Sequence, residues 1–288
     1  SSAASDVYKR QGKRKRARST MLRVANCLLG EDLGDDTLII GTSGRYEFKN
    51  KGIDVFLESL NRLNRDKDLK KKVLAFVNVP SWVGDPREDL QKRLKSKDKF
   101  TEPLQCPFIT HWLHNMTHDQ VLDMLKYLGM GNRPEDKVKV IFVPCYQDGH
   151  DGILNKHYYD LILGEDLSVY PSYYEPWGYT PLESVAFRVP TITTDLAGFG
   201  LWVNSLKNQH GINDGVEVLH RSDYNYSEVA DGIKDTVALF STKTEAEIKE
   251  IRKRAGQVAE QALWKHFIQY YYEAYDIALR NAMKRQLK

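Results

Sequence analysis

The chain contains little cysteine, and its three cysteines, Cys27, Cys106 and Cys145, are far apart in the sequence. The lack of a CxxC pair argues against a structural zinc site, and an odd number of separated cysteines argues against a disulfide framework. No apolar run approaches the roughly 18 residues that a membrane helix needs, and the N-terminus lacks the apolar segment of a signal peptide. We therefore predict a cytoplasmic protein with no membrane partner.

After residue 23 the chain has no excess of positive charge, because 34 Lys and Arg stand against 38 Asp and Glu. The formal net charge of +3 depends on eight Lys and Arg residues among the first 23 positions, where Asp6 is the only acidic residue. A charge run this short is usually a solvated segment, so we predict no nucleic-acid partner. The start "SSAASDVYKRQ" has no initiating Met and no periodicity that joins it to the sequence after it. We predict a disordered or extraneous leader over residues 1–19.

From about residue 20, short apolar runs alternate with segments of helical period. The runs "TLIIGTS", "KVLAFVNVP", "KVKVIFVP", "LSVYP", "VPTITT" and "VEVL" predict strands, and "GIDVFLESLNRLN" after the first run predicts a helix. Continuous apolar strands with helices between them are typical of a parallel sheet that is covered on both faces. We predict one α/β domain over residues 20–288, a Rossmann-like doubly wound parallel sheet with helices at the C-terminal end, over residues 226–284.

One block is too long for a simple connection between parallel strands. Residues 80–137 contain a charged helix candidate at 86–97 and a second helix that Thr117 would open, with Gln120 in capping-box spacing. We predict a helical insertion over this block.

Two polar segments follow predicted strands, where parallel sheets bind their ligands. In "GTSGRYEFKNKG" (41–52), Arg45 and Lys51 lie beside glycines, and a helix is predicted directly after Lys51. This combination suits a phosphate group. The alternative is that Arg45 pairs with a surface carboxylate and that Lys51 is solvated, and the segment alone does not separate the two interpretations.

The second segment is "PSYYEPWGYTPLE" (171–183). Pro181 suits the first turn of a helix, since a proline at the helix start loses no needed hydrogen bond, and the amides of Gly178, Tyr179 and Thr180 would then point out of the helix start towards an anion. Glu183 lies in the first turns of that helix and could bind two ribose hydroxyls, whereas Glu175 lies in the loop that faces the cleft. The alternative is a rigid turn that packs Trp177 and its neighbouring aromatic residues into the core.

Three motifs carry a resemblance to a known family. "SGRYEFKNKGIDVF", "YPSYYEPWGYTPLES" and "VPTITTDLAGFG" closely resemble the glycogen synthases of the animal and fungal type, and less closely the wider class of retaining GT-B glycosyltransferases, which have two facing Rossmann-like domains. The likeness covers roughly residues 20–280. It implies that this sheet is the C-terminal domain of such an enzyme and that the N-terminal GT-B domain is absent. We therefore expect the chain alone to be inactive.

The resemblance also implies roles for individual residues. Arg45 and Lys51 match the basic pair on the donor diphosphate, and Glu175 matches the carboxylate near the reacting sugar, which makes these three the catalytic set. Tyr158 lies where the family stacks an aromatic ring on uracil. The other residues predicted to bind the donor are Trp177, Gly178, Tyr179, Thr180 and Glu183.

The implied reaction transfers glucose from UDP-glucose to the non-reducing end of an α-1,4-glucan with retention of configuration. No metal cofactor is expected, because Arg45 and Lys51 supply the positive charge that the leaving diphosphate needs. A homo-oligomer is compatible with the sequence. Two alternatives stay open, a related enzyme that uses ADP-glucose and a non-catalytic nucleotide-binding or glucan-scaffold protein.

Three other polar motifs give only weak signals for a metal site. His111 and His114 have the spacing of ligands but lack partner carboxylates on the same face. "QDGHDG" (147–152) is explained by the backbone geometry of turns, and "DKD" (66–68) follows a predicted helix rather than a strand. We predict no metal site.

Overall fold

The computed structural model describes the backbone of residues 2–286 and the side chains of residues 9–285. In this part of the chain the strands are β1 (Leu38–Ser43), β2 (Val73–Asn78), β3 (Val83–Pro86), β4 (His111–Leu113), β5 (Val138–Val143), β6 (Leu167–Val169), β7 (Thr191–Thr194) and β8 (Val216–Leu219). The helices are α1 (Ser2–Leu29), α2 (Ile53–Asn64), α3 (Glu88–Lys95), α4 (Gln120–Leu128), α5 (Tyr158–Ile162), α6 (Tyr179–Ala186), α7 (Gly198–Ser205), α8 (Tyr226–Ser241), α9 (Glu245–Gln261) and α10 (Trp264–Gln286).

Six strands form one parallel sheet in the order β5-β2-β1-β6-β7-β8. The chain builds outwards from β1 in one direction and then returns to build outwards from β6 in the other. The order therefore reverses between β1 and β6, and in sheets of this kind ligands bind outside the carboxyl ends of the strands at the reversal. The predicted doubly wound α/β fold is confirmed.

Both faces of the sheet are buried. Leu38 and Ile40 of β1 point into the core that α2 and α8 cover, whereas Ile39 between them points into the core that α1 covers. Successive side chains of a strand point to opposite faces, so a run of apolar residues fills both cores at once. This is why the strands appear in the sequence as continuous apolar runs.

The prediction of a helical insertion over residues 80–137 is only partly right. The insertion contains α3 and α4, but also the antiparallel pair of β3 and β4. These strands have four and three residues, which is too short to show a period in the sequence. The N-cap of α4 is Asp119, whose carboxylate accepts hydrogen bonds from two amides of the first turn. Thr117 is not the cap, because its amide and hydroxyl both donate to Asn115.

Residues 2–19 belong to α1, so the disorder predicted for the leader is wrong for the part that the structure describes. Arg14 and Arg18 both donate to the carboxylate of Asp166, which precedes β6. Ala17 on the same face is buried. The sequence does not indicate this part of α1 because Arg14 and Arg18 replace apolar residues on its inner face, so the apolar period is missing here and the apolar core residues of the helix begin at Met21.

The C-terminal helices differ in their burial. α8 packs against α2, and α9 packs against α6. The ring of Phe267 in α10 contacts Trp177 and Trp202, but every described side chain from residue 269 to residue 285 is exposed. Among the helices of the described chain, none is long and apolar enough to cross a membrane.

Candidate functional site

A cavity of about 420 Å³ opens at the carboxyl ends of β1, β2 and β5, beside the reversal of strand order. The loops after these strands, the start of α5 and the start of α6 form its wall. The lining residues are Ser43, Gly44, Arg45, Asn78, Pro80, Cys145, Tyr146, Gln147, Asp148, Tyr158 and Thr180. Three residues predicted from the sequence, Arg45, Tyr158 and Thr180, therefore share one cavity.

The two predicted segments meet directly at an ion pair. The Lys51 ammonium donates to the Glu175 carboxylate, and both side chains are mostly buried. The alternative of a solvated Lys51 is thus wrong. A close approach of the two backbones brings these residues together, because Gly52 has a φ of 68° and a Cβ on it would lie 2.0 Å from the Pro171 carbonyl oxygen. Only glycine tolerates both conditions.

Arg45 lies on the cavity wall, and its side chain is 77% exposed. Its Nε lies 3.1 Å from the Glu47 carboxylate. The surface pairing considered for Arg45 is therefore present. The pair is open to water and accordingly weak, so an anion in the cavity can draw the guanidinium away from Glu47.

α6 starts at the rim of the cavity. Gly178 is its N-cap with a φ of 104°, so Tyr179 and Thr180 come first and Pro181 third. Pro181 lies in the first turn of the helix, as the sequence predicts, at its third position. The first amides of a helix have no acceptor inside the helix, and Thr180 directs this end of α6 at the cavity. The Tyr179 ring is exposed.

Trp177 is not among the residues that line the cavity. Its ring packs against Phe199, Trp202 and Phe267, with centroid distances of 5.5 to 6.1 Å. The core-packing alternative therefore describes the Trp177 side chain. Its backbone still positions α6, because the Phe199 amide donates to the Trp177 carbonyl oxygen.

Tyr158 lines the cavity at the start of α5. Its hydroxyl forms a 2.8 Å hydrogen bond with Ser43 and lies 3.4 Å from the Tyr170 hydroxyl. Burial is the largest of the causes that raise the Tyr158 pKa well above its ordinary value, so the phenol is neutral. Neither partner could be predicted, because Ser43 and Tyr170 appear in the sequence as the ends of apolar runs.

Glu183 lies on α6 and accepts a hydrogen bond of 3.0 Å from the Tyr159 hydroxyl. Tyr159 was not predicted. A hydroxyl already bonded to this carboxylate shows that Glu183 is oriented to accept from hydroxyl donors.

Asn78 and Gln147 line the cavity but were not predicted from the sequence. The Gln147 amide donates to the Asn78 side chain across the cavity wall at 2.8 Å.

Cys145 also lines the cavity, but the thiol is poorly suited to nucleophilic attack. Burial raises its pKa to about 12, with smaller contributions from Asp151 and Asp148. Nucleophilic cysteines need the thiolate, which this environment disfavours.

One group of side chains in the described chain has the spacing of metal ligands, namely His111, Cys145 and Asp151. The ligand atoms of His111 and Asp151 already have structural partners. The two ring nitrogens of His111 bond to Thr110 and to the Asp151 carbonyl oxygen, and the Asp151 carboxylate accepts from three backbone amides. We expect no metal here, because an ion would have to displace these bonds.

A protein-family model with the description "Glycogen synthase" matches residues 28–92 and 85–288 of this chain. The chain belongs to the glycogen synthase family. Similar proteins include the glycogen [starch] synthase of Neurospora crassa, 28% identical over 86% of this chain, and isoform 2 of Saccharomyces cerevisiae, 29% identical over 88%. The glycogen [starch] synthase of Caenorhabditis elegans is 32% identical over 65% of the chain. The Neurospora and yeast alignments cover 42% and 44% of those proteins, so the chain spans less than half of their length.

Similar solved structures include those of WaaG and OtsA. WaaG, a glycosyltransferase involved in lipopolysaccharide biosynthesis, has a TM-score of 0.46, and OtsA in its apo form has one of 0.49. WaaG is 15% identical, and the match covers 85% of this glycogen synthase family chain and 46% of WaaG. OtsA is 12% identical, and the match covers 84% of this chain and 44% of OtsA.

Proposed function

We propose that this chain provides the donor site of a glucosyltransferase that transfers glucose from UDP-glucose to the non-reducing end of an α-1,4-glucan. The observation that carries the proposal is the convergence of Arg45, Tyr158 and Thr180 on one cavity at the reversal of strand order. The Lys51–Glu175 pair joins the two segments that shape the site. Family membership supports the choice of reaction.

The diphosphate would lie between the basic side chains and the start of α6. Cleavage of the bond from the sugar to the phosphate increases the negative charge on the leaving diphosphate. In the proposal Arg45 and Lys51 stabilise this charge, since fixed positive groups lower a barrier most where charge develops. The exposed amides at the start of α6 add to this effect. These groups replace a metal ion in the proposal, so we propose no cofactor.

Glu175 would act on the sugar. As the glycosidic bond breaks, the sugar gains oxocarbenium character, which a nearby carboxylate stabilises. For retention of configuration, the acceptor hydroxyl attacks from the face that the diphosphate leaves, and a diphosphate oxygen takes the acceptor's proton as the new bond forms. Cys145 does not enter this scheme because its thiol is protonated.

Donor binding changes the ion pairs of the site. In the structure Lys51 donates to Glu175 and Arg45 lies against Glu47. A diphosphate offers both cations a stronger acceptor and releases the Glu175 carboxylate towards the sugar. The base would lie on Tyr158 and the ribose against Glu183. A cytoplasmic location and self-association stay predictions.

Calorimetric titration of the purified chain with UDP and with ADP tests the proposal. We expect selective binding of UDP, a loss of at least tenfold in affinity for Tyr158→Ala and for Lys51→Ala, and no change for the control Tyr224→Phe, whose ring is 93% exposed. Preference for ADP would favour the ADP-glucose alternative. A folded chain whose UDP affinity is unchanged by both alanine variants would contradict the proposed site.

A further inference from the structure

A column of polar groups runs through the sheet from the cavity to a buried carboxyl group. Gly41 of β1 pairs in register with Ser168 of β6. A Cβ on Gly41 would lie 2.1 Å from a Glu165 side-chain oxygen, so the glycine leaves the space that the carboxyl group of Glu165 fills. Glu165 is 4% exposed. A polar side chain thus replaces apolar packing in the middle of this face of the sheet.

Polar side chains on one face of the sheet lie between this carboxyl group and the cavity. The Ser168 hydroxyl donates to Glu165. Ser168 and Tyr170 are two residues apart, so their side chains point to the same face of the sheet, and burial, followed by the charge of Glu165, raises the pKa of the Tyr170 phenol. The Tyr170 hydroxyl in turn lies 3.4 Å from that of Tyr158. We call Glu165, Ser168, Tyr170 and Tyr158 the polar column.

We infer that Tyr170 is a positioning residue for the nucleobase, which fixes the Tyr158 ring from behind, and that Glu165 anchors the other end of the column. The inference rests on the proposed function, since the base is placed on Tyr158. Tyr170 is 4% exposed and does not line the cavity. It can therefore act on a ligand only through Tyr158.

The position of Tyr158 explains why such support matters. α5 has only five residues, so its own backbone bonds give the helix little rigidity. The ring packs against Tyr159 at 5.3 Å between centroids, and Tyr159 is exposed. The hydroxyl end is the part held by hydrogen-bonding partners, the half-buried Ser43 and the buried Tyr170. A ring already fixed in its binding orientation loses less freedom when a base stacks on it.

The buried end of the column makes this coupling measurable. Burial raises the pKa of Glu165 to about 8, and the charge of Asp166 adds to this effect, whereas Ser168 and Arg14 oppose it. The charged groups around it on the other elements are Arg18 of α1, which pairs with Asp166, and Arg252 of α9, which donates to the Glu165 carbonyl oxygen. Loss of the Glu165 proton replaces a neutral carboxyl by a carboxylate, and the hydroxyls of the column must reorient.

The first test needs no ligand. Carbon-13 labelling of the tyrosine Cζ atoms, with the Tyr158 signal assigned by its loss in Tyr158→Phe, allows NMR spectra to follow that signal from pH 6 to pH 10. We expect a transition near pH 8 in the unchanged protein, no transition in Glu165→Gln, a much smaller one in Tyr170→Phe and an unchanged one in the exposed control Tyr224→Phe. A transition of full size in Tyr170→Phe, or none in the unchanged protein, would overturn the coupling.

The second test uses UDP and inorganic pyrophosphate in calorimetry. We expect Tyr170→Phe to weaken UDP binding by about three- to tenfold, as the loss of one positioning hydrogen bond implies, with pyrophosphate affinity unchanged. Unchanged UDP affinity would overturn the positioning role, and equal losses for both ligands would show a general structural defect instead. If the unchanged protein fails to bind UDP, the proposed function fails and the positioning role with it, while the NMR result still decides whether the column couples Glu165 to Tyr158.

Discussion

At the scale of single residues, the charge balance around Lys51 decides how strongly the proposed site attracts a diphosphate. The ammonium is mostly buried and is paired with Glu175. A diphosphate must compete with that carboxylate for the same cation. Because opposite charges interact strongly where water is partly excluded, the pair keeps Lys51 positioned while it weakens the attraction for an incoming anion.

Glu175→Gln is therefore expected to bind pyrophosphate about three- to tenfold more tightly than the unchanged protein, because a negative charge beside the anion is removed. Calorimetry on the purified chain measures this. Glu47→Gln is the matched control, and its effect should be smaller because Arg45 is open to water. Weaker pyrophosphate binding in Glu175→Gln would show that the carboxylate is needed to orient Lys51.

The raised pKa of Glu165 predicts that the free energy of unfolding depends on pH. Burial raises its pKa from the ordinary 4.5 to about 8, so the folded protein retains a proton that the unfolded chain releases. The corresponding stabilisation is complete below pH 4.5 and is lost as the pH rises to about 8, with a total of a few kcal/mol at about 1.4 kcal/mol per pKa unit. Urea unfolding at several pH values should show that the stability of Glu165→Gln lacks this fall. Parallel curves for the two proteins would contradict the buried titration.

Some of the site residues could be predicted and others could not. Arg45, Tyr158 and Thr180 belong to long motifs, and the structure brings them to one cavity. Trp177 belongs to the same motif, but its ring packs into an aromatic cluster, because a motif does not state which way a side chain points. Tyr170 ends an apolar run and so resembles a core residue. Its hydroxyl partners come from other elements, which the local sequence does not reveal.

At the scale of elements, the insertion connects to the loop that carries Arg45. The Tyr46 hydroxyl donates to the Asp119 carboxylate at 2.7 Å, and Ser81 donates to the other oxygen of that group. Asp119 is also the N-cap of α4. A single buried carboxylate thus joins the helix start, the insertion and the loop next to the cavity.

Asp119→Ala should lower the free energy of unfolding by about 1–3 kcal/mol, since it removes a cap and leaves the Tyr46 hydroxyl without its acceptor. Thr117→Ala is the control, because the sequence favours Thr117 as the cap but the structure does not, and its effect should remain within about 0.5 kcal/mol. Chemical denaturation of both variants measures the difference. A larger loss for Thr117→Ala would place the start of α4 elsewhere.

The elements themselves were predicted unevenly. Buried strands and amphipathic helices carry clear apolar periods, which is why the sheet and its covering helices could be expected. The first half of α1 could not, because Arg14 and Arg18 on Asp166 occupy its inner face and the apolar core residues of the helix begin only at Met21. The order of strands follows from the rules of parallel sheets rather than from any one strand, since a strand's sequence does not identify its neighbour.

At the scale of the whole molecule, α10 contributes little to the core. Phe267 near its start joins the aromatic cluster around Trp177, whereas the described side chains from residue 269 onwards are exposed. Exposed aromatic residues favour association between molecules and so lower solubility, but they contribute little to the free energy of unfolding.

A chain that ends after residue 269 should therefore unfold with a free energy within about 0.5 kcal/mol of the longer chain, and it should self-associate less. Thermal unfolding and light scattering measure the two effects. Phe267→Ala in the longer chain is the contrasting variant, because it opens the aromatic cluster and should be destabilising. A fall of several degrees in Tm on truncation would mean that the exposed part of α10 packs against the domain.

The crystal structure of this chain with UDP is the most direct test of the proposed donor site. We expect the diphosphate between Arg45, Lys51 and the start of α6, with uracil against Tyr158 in the cavity at the reversal of strand order. The Lys51–Glu175 pair should be open in that complex. UDP bound elsewhere, or in this cavity with Lys51 still on Glu175 and no basic side chain at the phosphates, would contradict it.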